Sequence, residues 1–456
     1  MKVAKSCSQC RTAKRKCTSG TLPLSSCTQC AQKGINCSLL VNQNSNRPKF
    51  LAPAAPGPRS SVEPHTFFHP GTLTSRVQSG LLPEAVLFSI LAVDARFSSD
   101  QSIRDRVNDF YQAAKEAFKD HLEEITLDNI HATALIGNIS GAEGNSNGES
   151  LFFGIGFRIA QILRLPESNR EDDAITKEIK IRTYWSLYMI DQWSSAGLDM
   201  PRQLSDTSQH PLPMSELLFW GLKPGSQALD TIEHKPPALW GYMAIIASVF
   251  GKIHQLHRQL ADGYLTDTET EKYPHVYALE LEDFVQNLPT NLELTRDNLE
   301  YHAAQGLGAT FVTLHLGYHH YSTLLYFHYL DSTFTQVPNQ TIFAARCKHH
   351  AAAFSDLLSS SNEIPGCEAV YFIVAHMTSR DEIPDARRRL YSNFQALLKL
   401  KQYWPYVSTM ITRLFTFQEV CMRSTDRVYV VDKWIVKFLL QHALPIEKNR
   451  HPPPTD

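Results

Sequence analysis

The feature that most constrains this chain is a cysteine pattern, C-x2-C-x6-C, which occurs twice near the start of the sequence. Cysteine thiolates are preferred ligands of structural zinc, which binds four ligands in a tetrahedron. Two tetrahedral zinc ions need eight ligand bonds in total. Six cysteines supply eight bonds if two of the thiolates bind both metal ions. The pattern therefore predicts a small N-terminal module of two short helices around a Zn2Cys6 centre. Its two Zn2+ ions would be held by Cys7, Cys10, Cys17, Cys27, Cys30 and Cys37.

Two other interpretations of the cysteines remain open. A single-zinc ribbon would use the two C-x2-C pairs, because the 16 residues between Cys10 and Cys27 fit the spacing of such ribbons. It would leave Cys17 and Cys37 without a role, although both follow their pair at the same offset. A disulfide framework needs an oxidising compartment, and the N-terminal residues lack the pattern of a secretory signal.

The distribution of charge indicates a polyanionic partner for the cysteine region. Residues 1–62 contain ten Lys or Arg and no Asp or Glu, whereas the remainder contains 34 basic and 46 acidic residues. Such a basic segment is typical of nucleic-acid binding, although a nuclear import signal or a solvated surface would also explain it. We expect double-stranded DNA as the partner. The candidate contact residues lie between two of the cysteines: Arg11, Lys14, Arg15 and Lys16.

With these residues in view, positions 7–37 resemble the DNA-binding domain of the fungal zinc binuclear cluster transcription factors. The resemblance implies that Cys7 and Cys27 bridge the two zinc ions, and that Lys14 reads a CGG-type triplet. The sequence departs from the family at Ala13, where many members have a second lysine, and at Ser25, where members have proline. Triplet recognition and the loop between the repeats are therefore expected to differ.

The resemblance also implies a function. We expect a nuclear, non-enzymatic regulator of RNA polymerase II transcription, which contacts the transcription machinery or co-regulators. Control of a pathway or of a secondary-metabolism gene cluster is one such role. The alternatives are a scaffold protein whose zinc module contacts other proteins, and a single-zinc protein that binds nucleic acid without sequence preference.

The segment after the cysteines predicts a linker. We place the zinc module at residues 1–40 and a disordered, proline-rich linker at 41–80, since proline disfavours helix interiors. This segment has no sustained apolar heptads of a coiled coil. The protein therefore either binds DNA as a monomer or forms a homodimer through its C-terminal region.

Residues 81–443 predict a large all-α domain, followed by a flexible tail at 444–456. Apolar side chains recur at helical spacing, for example at Tyr184, Trp185 and Tyr188. No window approaches 18 uninterrupted apolar residues, so we expect no membrane association. Several segments resemble the regulatory domain of fungal transcription factors: residues 87–98, 151–165, 179–204, 315–325 and 403–440.

Some residues in this region resemble parts of functional motifs but are better explained by packing. His315 and His319 have the i, i+4 spacing of two zinc ligands on one helix face. The intervening glutamate of the H-E-x-x-H motif is absent, however, so the spacing alone does not indicate a metal site. We expect them, and His349 with His350, to pack or to face solvent. We also expect Gly154 and Gly156 to allow close helix packing. The acids Glu280, Glu282 and Asp283 should lie on a helix, and Cys347, Cys367 and Cys421 should be buried.

Overall fold

A computed structural model of the chain describes residues 10, 14, 29, 33, 67–204, 210–226, 238–331, 339–368, 384–423, 433–441 and 443–444. The chain divides into two compact units, Met1–Arg59 and Ser60–Asp456. The first unit contains the cysteine pattern. In it Cys10 and Gln29 are helical, and the two short helices predicted there otherwise lie outside the described residues.

The second unit is helical, and its described residues include no β-strand, which confirms the predicted all-α class for this unit. None of the described helices combines the length and apolar character that a bilayer span requires. The helices are α1 (Pro70–Gln78), α2 (Glu84–Ala95), α3 (Gln101–Arg104), α4 (Val107–Lys119), α5 (Leu127–Ala142), α6 (Ser146–Ile162), α7 (Ala174–Leu198), α8 (Glu216–Gly221), α9 (Leu239–Asp262), α10 (Asp267–Gln286), α11 (Arg296–Ala304), α12 (Gly308–Tyr326), α13 (Gln340–Ser361), α14 (Pro384–Leu400), α15 (Val407–Arg423) and α16 (Lys433–Leu440).

Several helices begin at a residue whose side chain satisfies a backbone amide of the first turn. Thr126, Asp173 and Thr295 each accept a hydrogen bond from the amide three residues later. At the start of α10, Thr266 and Glu269 form a reciprocal capping box. Each such cap stabilises its helix by about 1 kcal/mol, and so fixes where the helix starts.

Helix α5 contributes side chains to two apolar clusters. Leu135 and Ile136 pack with residues of α2 and α4, whereas Ile130 packs with residues of α6 and α7. A helix that is apolar on every side must be covered on every side. Its contact with α6 is close: a methyl group at Gly137 would lie 2.4 Å from the Phe153 ring.

The folded unit starts earlier than the sequence suggested. We expected a disordered linker up to residue 80, but α1 occupies Pro70–Gln78 and Phe67 is buried. Pro70 is compatible with a helix because it lies in the first turn, where its missing amide hydrogen costs nothing. The Phe67 ring stacks on the His131 imidazole with ring centroids 4.3 Å apart.

Candidate nucleic-acid interface

The structure describes two of the predicted site residues. Cys10 is helical and only 3% exposed, and Lys14 is exposed in a turn. The other predicted site residues lie outside the described residues: Cys7, Cys17, Cys27, Cys30, Cys37, Arg11, Arg15 and Lys16. Within the part that the structure describes, no three His, Cys, Asp or Glu side chains lie close enough together to hold a metal ion. The zinc ligand set therefore stays a prediction.

Lys14 has an uncommon backbone conformation. Its φ angle is +48°, in the left-handed region, which costs a residue with a Cβ atom about 1–2 kcal/mol. The two cysteine repeats are offset by 20 positions, and at that offset Lys14 corresponds to Gly34. Glycine adopts this conformation without the steric cost.

The donor set suits zinc by its chemistry. Six thiolates within a short segment match the preference of Zn2+ for sulfur. Cys10 is helical and its side chain is buried.

The second unit contains a buried ionic network that the sequence pattern did not reveal. The Arg182 side chain is 0% exposed, and its Nε donates to Glu178 Oε1 at 2.8 Å. Its terminal nitrogen donates to the Met214 carbonyl at 2.6 Å, while the Met214 and Trp240 amides donate to Glu178 and Glu216. Burial raises the pKa of Glu178 to about 7, against the opposing effect of Arg182. In sequence this i, i+4 pair looks like a surface ion pair.

The histidines of α12 and α13 are structural. His315 donates to the Leu292 carbonyl at 3.0 Å and is buried, as expected. The sequence did not show that His319 and His350 meet across the two helices, where their Nδ1 atoms are 3.0 Å apart. Burial lowers the pKa of His319 to about 3 and that of His350 to about 4, so both rings are neutral at pH 7.

The expectation of close helix packing is correct for Gly156 and wrong for Gly154. A methyl group at Gly156 would lie 2.7 Å from Thr133 Oγ1, so this glycine permits a close helix contact. At Gly154 the surroundings are open, with the nearest atom 3.7 Å away, so packing does not require a glycine there.

The acids of α10 lie on a helix, as expected. Glu280 pairs with Lys252 at 2.6 Å, and Glu282 pairs with Arg346 at 2.6 Å. Two carboxylates of the segment are therefore engaged with neighbouring helices, which favours a role in the fold.

The two described cysteines of the second unit are also buried. Burial raises the pKa of Cys347 to about 12 and that of Cys367 to about 11, so both thiols stay protonated at neutral pH. The side chain of Cys421 lies outside the described residues.

Comparison with known proteins links the helical unit to transcription. Residues 59–278 match the family described as the fungal specific transcription factor domain. A Zn(2)-C6 fungal-type transcription factor of Fusarium oxysporum f. sp. lycopersici is 22% identical over 402 residues, which cover 76% of this chain and 43% of that protein. An uncharacterized transcriptional regulatory protein of Schizosaccharomyces pombe is 26% identical over 294 residues, which cover 56% of this chain and 30% of that protein.

The chain thus spans less than half the length of these curated relatives. It is similar to proteins named as fungal transcriptional regulators, and its residues 59–278 match the fungal specific transcription factor domain.

Proposed function

We propose that this protein is a sequence-specific DNA-binding transcription factor of the Zn2Cys6 type, which regulates RNA polymerase II transcription in the nucleus. The observation that carries the proposal is the combination, in one chain, of the repeated cysteine pattern with a match to the fungal specific transcription factor domain. A relative that aligns over 76% of the chain has Zn(2)-C6 in its name, which supports the same conclusion.

In this proposal the six cysteines hold two Zn2+ ions. As the resemblance implies, Cys7 and Cys27 would be ligands of both ions, Cys10 and Cys17 would complete one ligand set, and Cys30 and Cys37 would complete the other. A segment this short cannot bury a sufficient core, so metal binding supplies its folding free energy, about 10–16 kcal/mol for small structural zinc sites.

The basic residues between the cysteines then contact two different parts of the DNA. Arg11, Arg15 and Lys16 contact phosphates, which supplies affinity that weakens with salt. Lys14 donates to the O6 and N7 acceptors of a guanine in the major groove, which supplies sequence preference for a CGG-type triplet. Ala13 removes one further donor, so we expect weaker discrimination than in a module with two adjacent lysines.

The helical unit would receive regulatory input, recruit co-regulators or the transcription machinery, and provide the contacts of a homodimer if one forms. Its buried ionic network and neutral histidines serve the fold. We therefore assign it no catalytic step.

The test combines metal analysis of the full chain with selection from a randomised duplex DNA pool. We expect two zinc ions per chain and enrichment of a CGG-type triplet. The variant Cys27→Ser, which removes a bridging ligand, should lose zinc and DNA binding while keeping the helical far-ultraviolet signal. One zinc per chain would support the ribbon, and two zincs without any enriched sequence would support the scaffold.

A further inference from the structure

Helix α6 turns an apolar stripe toward solvent. The stripe consists of Leu151, Ile155, Arg158 and Ile162, which follow one another at intervals of four, three and four residues and so share one face of the helix. Leu151 is 61% exposed and Ile162 is 55% exposed, while Ile155 is half-buried and packs partly against both apolar clusters. The outward face of a helix in a globular protein is ordinarily polar. In α6 three of the four positions on this face are apolar.

The segment that follows α7 forms one side of a shallow groove along the stripe. The Ser150 hydroxyl donates to the Met200 sulfur at 3.1 Å, and the Gln161 side-chain amide donates to the Gln203 carbonyl at 2.9 Å. This segment therefore lies beside α6 as far as its last turn. Between the two contacts lies Gly154, where a methyl group would have no neighbour closer than 3.7 Å. The groove thus has a glycine at its floor, and Met200, which is exposed, supplies a flexible apolar wall.

The charge along this groove is positive and unpaired. Arg158 lies within the stripe, and Arg164 comes two residues after the end of α6. Both are exposed, and neither has an ion-pair partner among the residues that the structure describes. The single acid of α6, Glu149, lies on another side of the helix, where it accepts a hydrogen bond from Ser194 of α7 at 2.9 Å. Unpaired cations beside exposed apolar side chains favour a partner that carries carboxylates.

The spacing of the stripe and its charge together define what fits the groove. Alternating intervals of four and three residues are typical of the seam between two packed helices, and the stripe is about 16 Å long, or three helical turns. A second copy of this chain is a poor match. Parallel pairing of two stripes would place Arg158 opposite its own counterpart, and antiparallel pairing would place it opposite Ile155. Neither arrangement supplies a carboxylate, whereas a helix with apolar residues at the same intervals and acids beside them supplies both kinds of contact.

We propose that the groove between α6 and residues 200–203 binds an acidic amphipathic helix of a partner protein. The apolar side chains of that helix pack on the three apolar residues of the stripe, and its carboxylates pair with Arg158 and Arg164. The proposal rests on the proposed role of the helical unit in recruiting other proteins, and specifies the surface and the chemistry of the partner. Binding of such a helix requires neither zinc nor DNA.

Two synthetic peptides of about 20 residues, long enough to form a helix, test the groove with the full, zinc-bound chain. Both repeat leucine at alternating intervals of four and three residues, and the flanking positions are glutamate in one peptide and lysine in the other. Fluorescence anisotropy of the labelled peptides gives the two dissociation constants. We expect the glutamate peptide to bind about 10-fold more tightly than the lysine peptide. Zinc content and DNA selection are separate measurements, so failure of peptide binding is distinguishable from failure of DNA reading.

Two variants separate the apolar contacts of the groove from its charge. Ile162→Asp should weaken binding of the glutamate peptide about 10-fold or more, because the partner then buries no isoleucine at that position. Arg158→Glu should remove the preference for the glutamate peptide and favour the lysine peptide. The matched control is Leu279→Asp on α10, since Leu279 is similarly exposed, and this variant should bind the glutamate peptide as wild type does.

Circular dichroism and sedimentation equilibrium on the same samples report the helical content and the oligomeric state of each variant. Absence of binding to the wild-type chain, equal affinity for the two peptides, or unchanged binding in Ile162→Asp would overturn the proposal. A homodimer that dissociates in Ile162→Asp would also overturn it, because a second copy would then occupy the groove.

Discussion

The left-handed backbone of Lys14 allows the folding role of this residue to be separated from its proposed role in DNA reading. In Lys14→Gly the steric cost of the conformation, about 1–2 kcal/mol, disappears. Glycine also makes the unfolded chain more flexible, which offsets about 0.5–1 kcal/mol of that gain. The zinc-bound module should therefore be as stable as wild type or more stable by up to about 1.5 kcal/mol. Loss of a bidentate base contact should nonetheless weaken binding to the selected DNA by about 1–3 kcal/mol.

Lys14→Ala is the matched control, because alanine also lacks the lysine donor but keeps the Cβ atom and its steric cost. Both variants should lose the same DNA affinity, whereas only the glycine variant should match or exceed wild-type stability. Stability can be followed by competition for zinc with a chromophoric chelator, since metal binding and folding of such modules are coupled. DNA affinity can be followed by fluorescence anisotropy on selected and scrambled duplexes. Equal zinc retention in the two variants would refute the backbone argument. A loss of affinity that is the same on both duplexes would refute the base contact.

Three further predictions concern the helical unit, and urea unfolding followed by circular dichroism checks each of them. Arg182→Met leaves Glu178 buried without its cation and should cost about 3–5 kcal/mol, and a loss below 1 kcal/mol would contradict this. His257 is fully buried, and burial lowers its pKa to about 4. Below pH 6.5 the unfolded chain binds a proton at this residue and the folded chain does not, so the free energy of unfolding should fall as the pH drops from 6.5 to 4. His257→Gln should therefore reduce the stability difference between pH 7 and pH 5 by about 2 kcal/mol, whereas the exposed His121→Gln should not. Truncation after residue 278 cuts α10 and removes α12, so it should abolish cooperative unfolding, whereas a chain ending at residue 444 should retain it.

The sequence was most informative where a pattern is local. Helical spacing identified Tyr184, Trp185 and Tyr188 as one face of a helix, and all three are buried in α7. The repeated cysteine spacing is equally local and predicts a ligand set without reference to any other part of the chain. Prolines were the misleading local signal, because Pro70 begins a helix that the linker prediction had excluded.

What could not be predicted depends on contacts between distant residues. The bond from Tyr406 to Ala142 joins positions more than 250 residues apart, and neither sequence segment indicates the other. The pair Glu178 and Arg182 has the spacing of a solvent-exposed helical ion pair, and only the packing of α7 makes it a buried one. The same holds for His319 and His350, whose separate helices bring their rings together.

The position of α5 between two apolar clusters has a consequence for how the helical unit responds to perturbation. One helix supplies side chains to both clusters, so neither can loosen without exposing apolar surface that the other also covers. Melting should therefore be a single cooperative event across α2, α4, α6 and α7. If a change at α2 displaces α5, the displacement also reaches α7, because α5 packs against both helices. Close-packed interiors shift between discrete arrangements and do not deform gradually. Such a shared helix is a direct mechanical route between the two clusters.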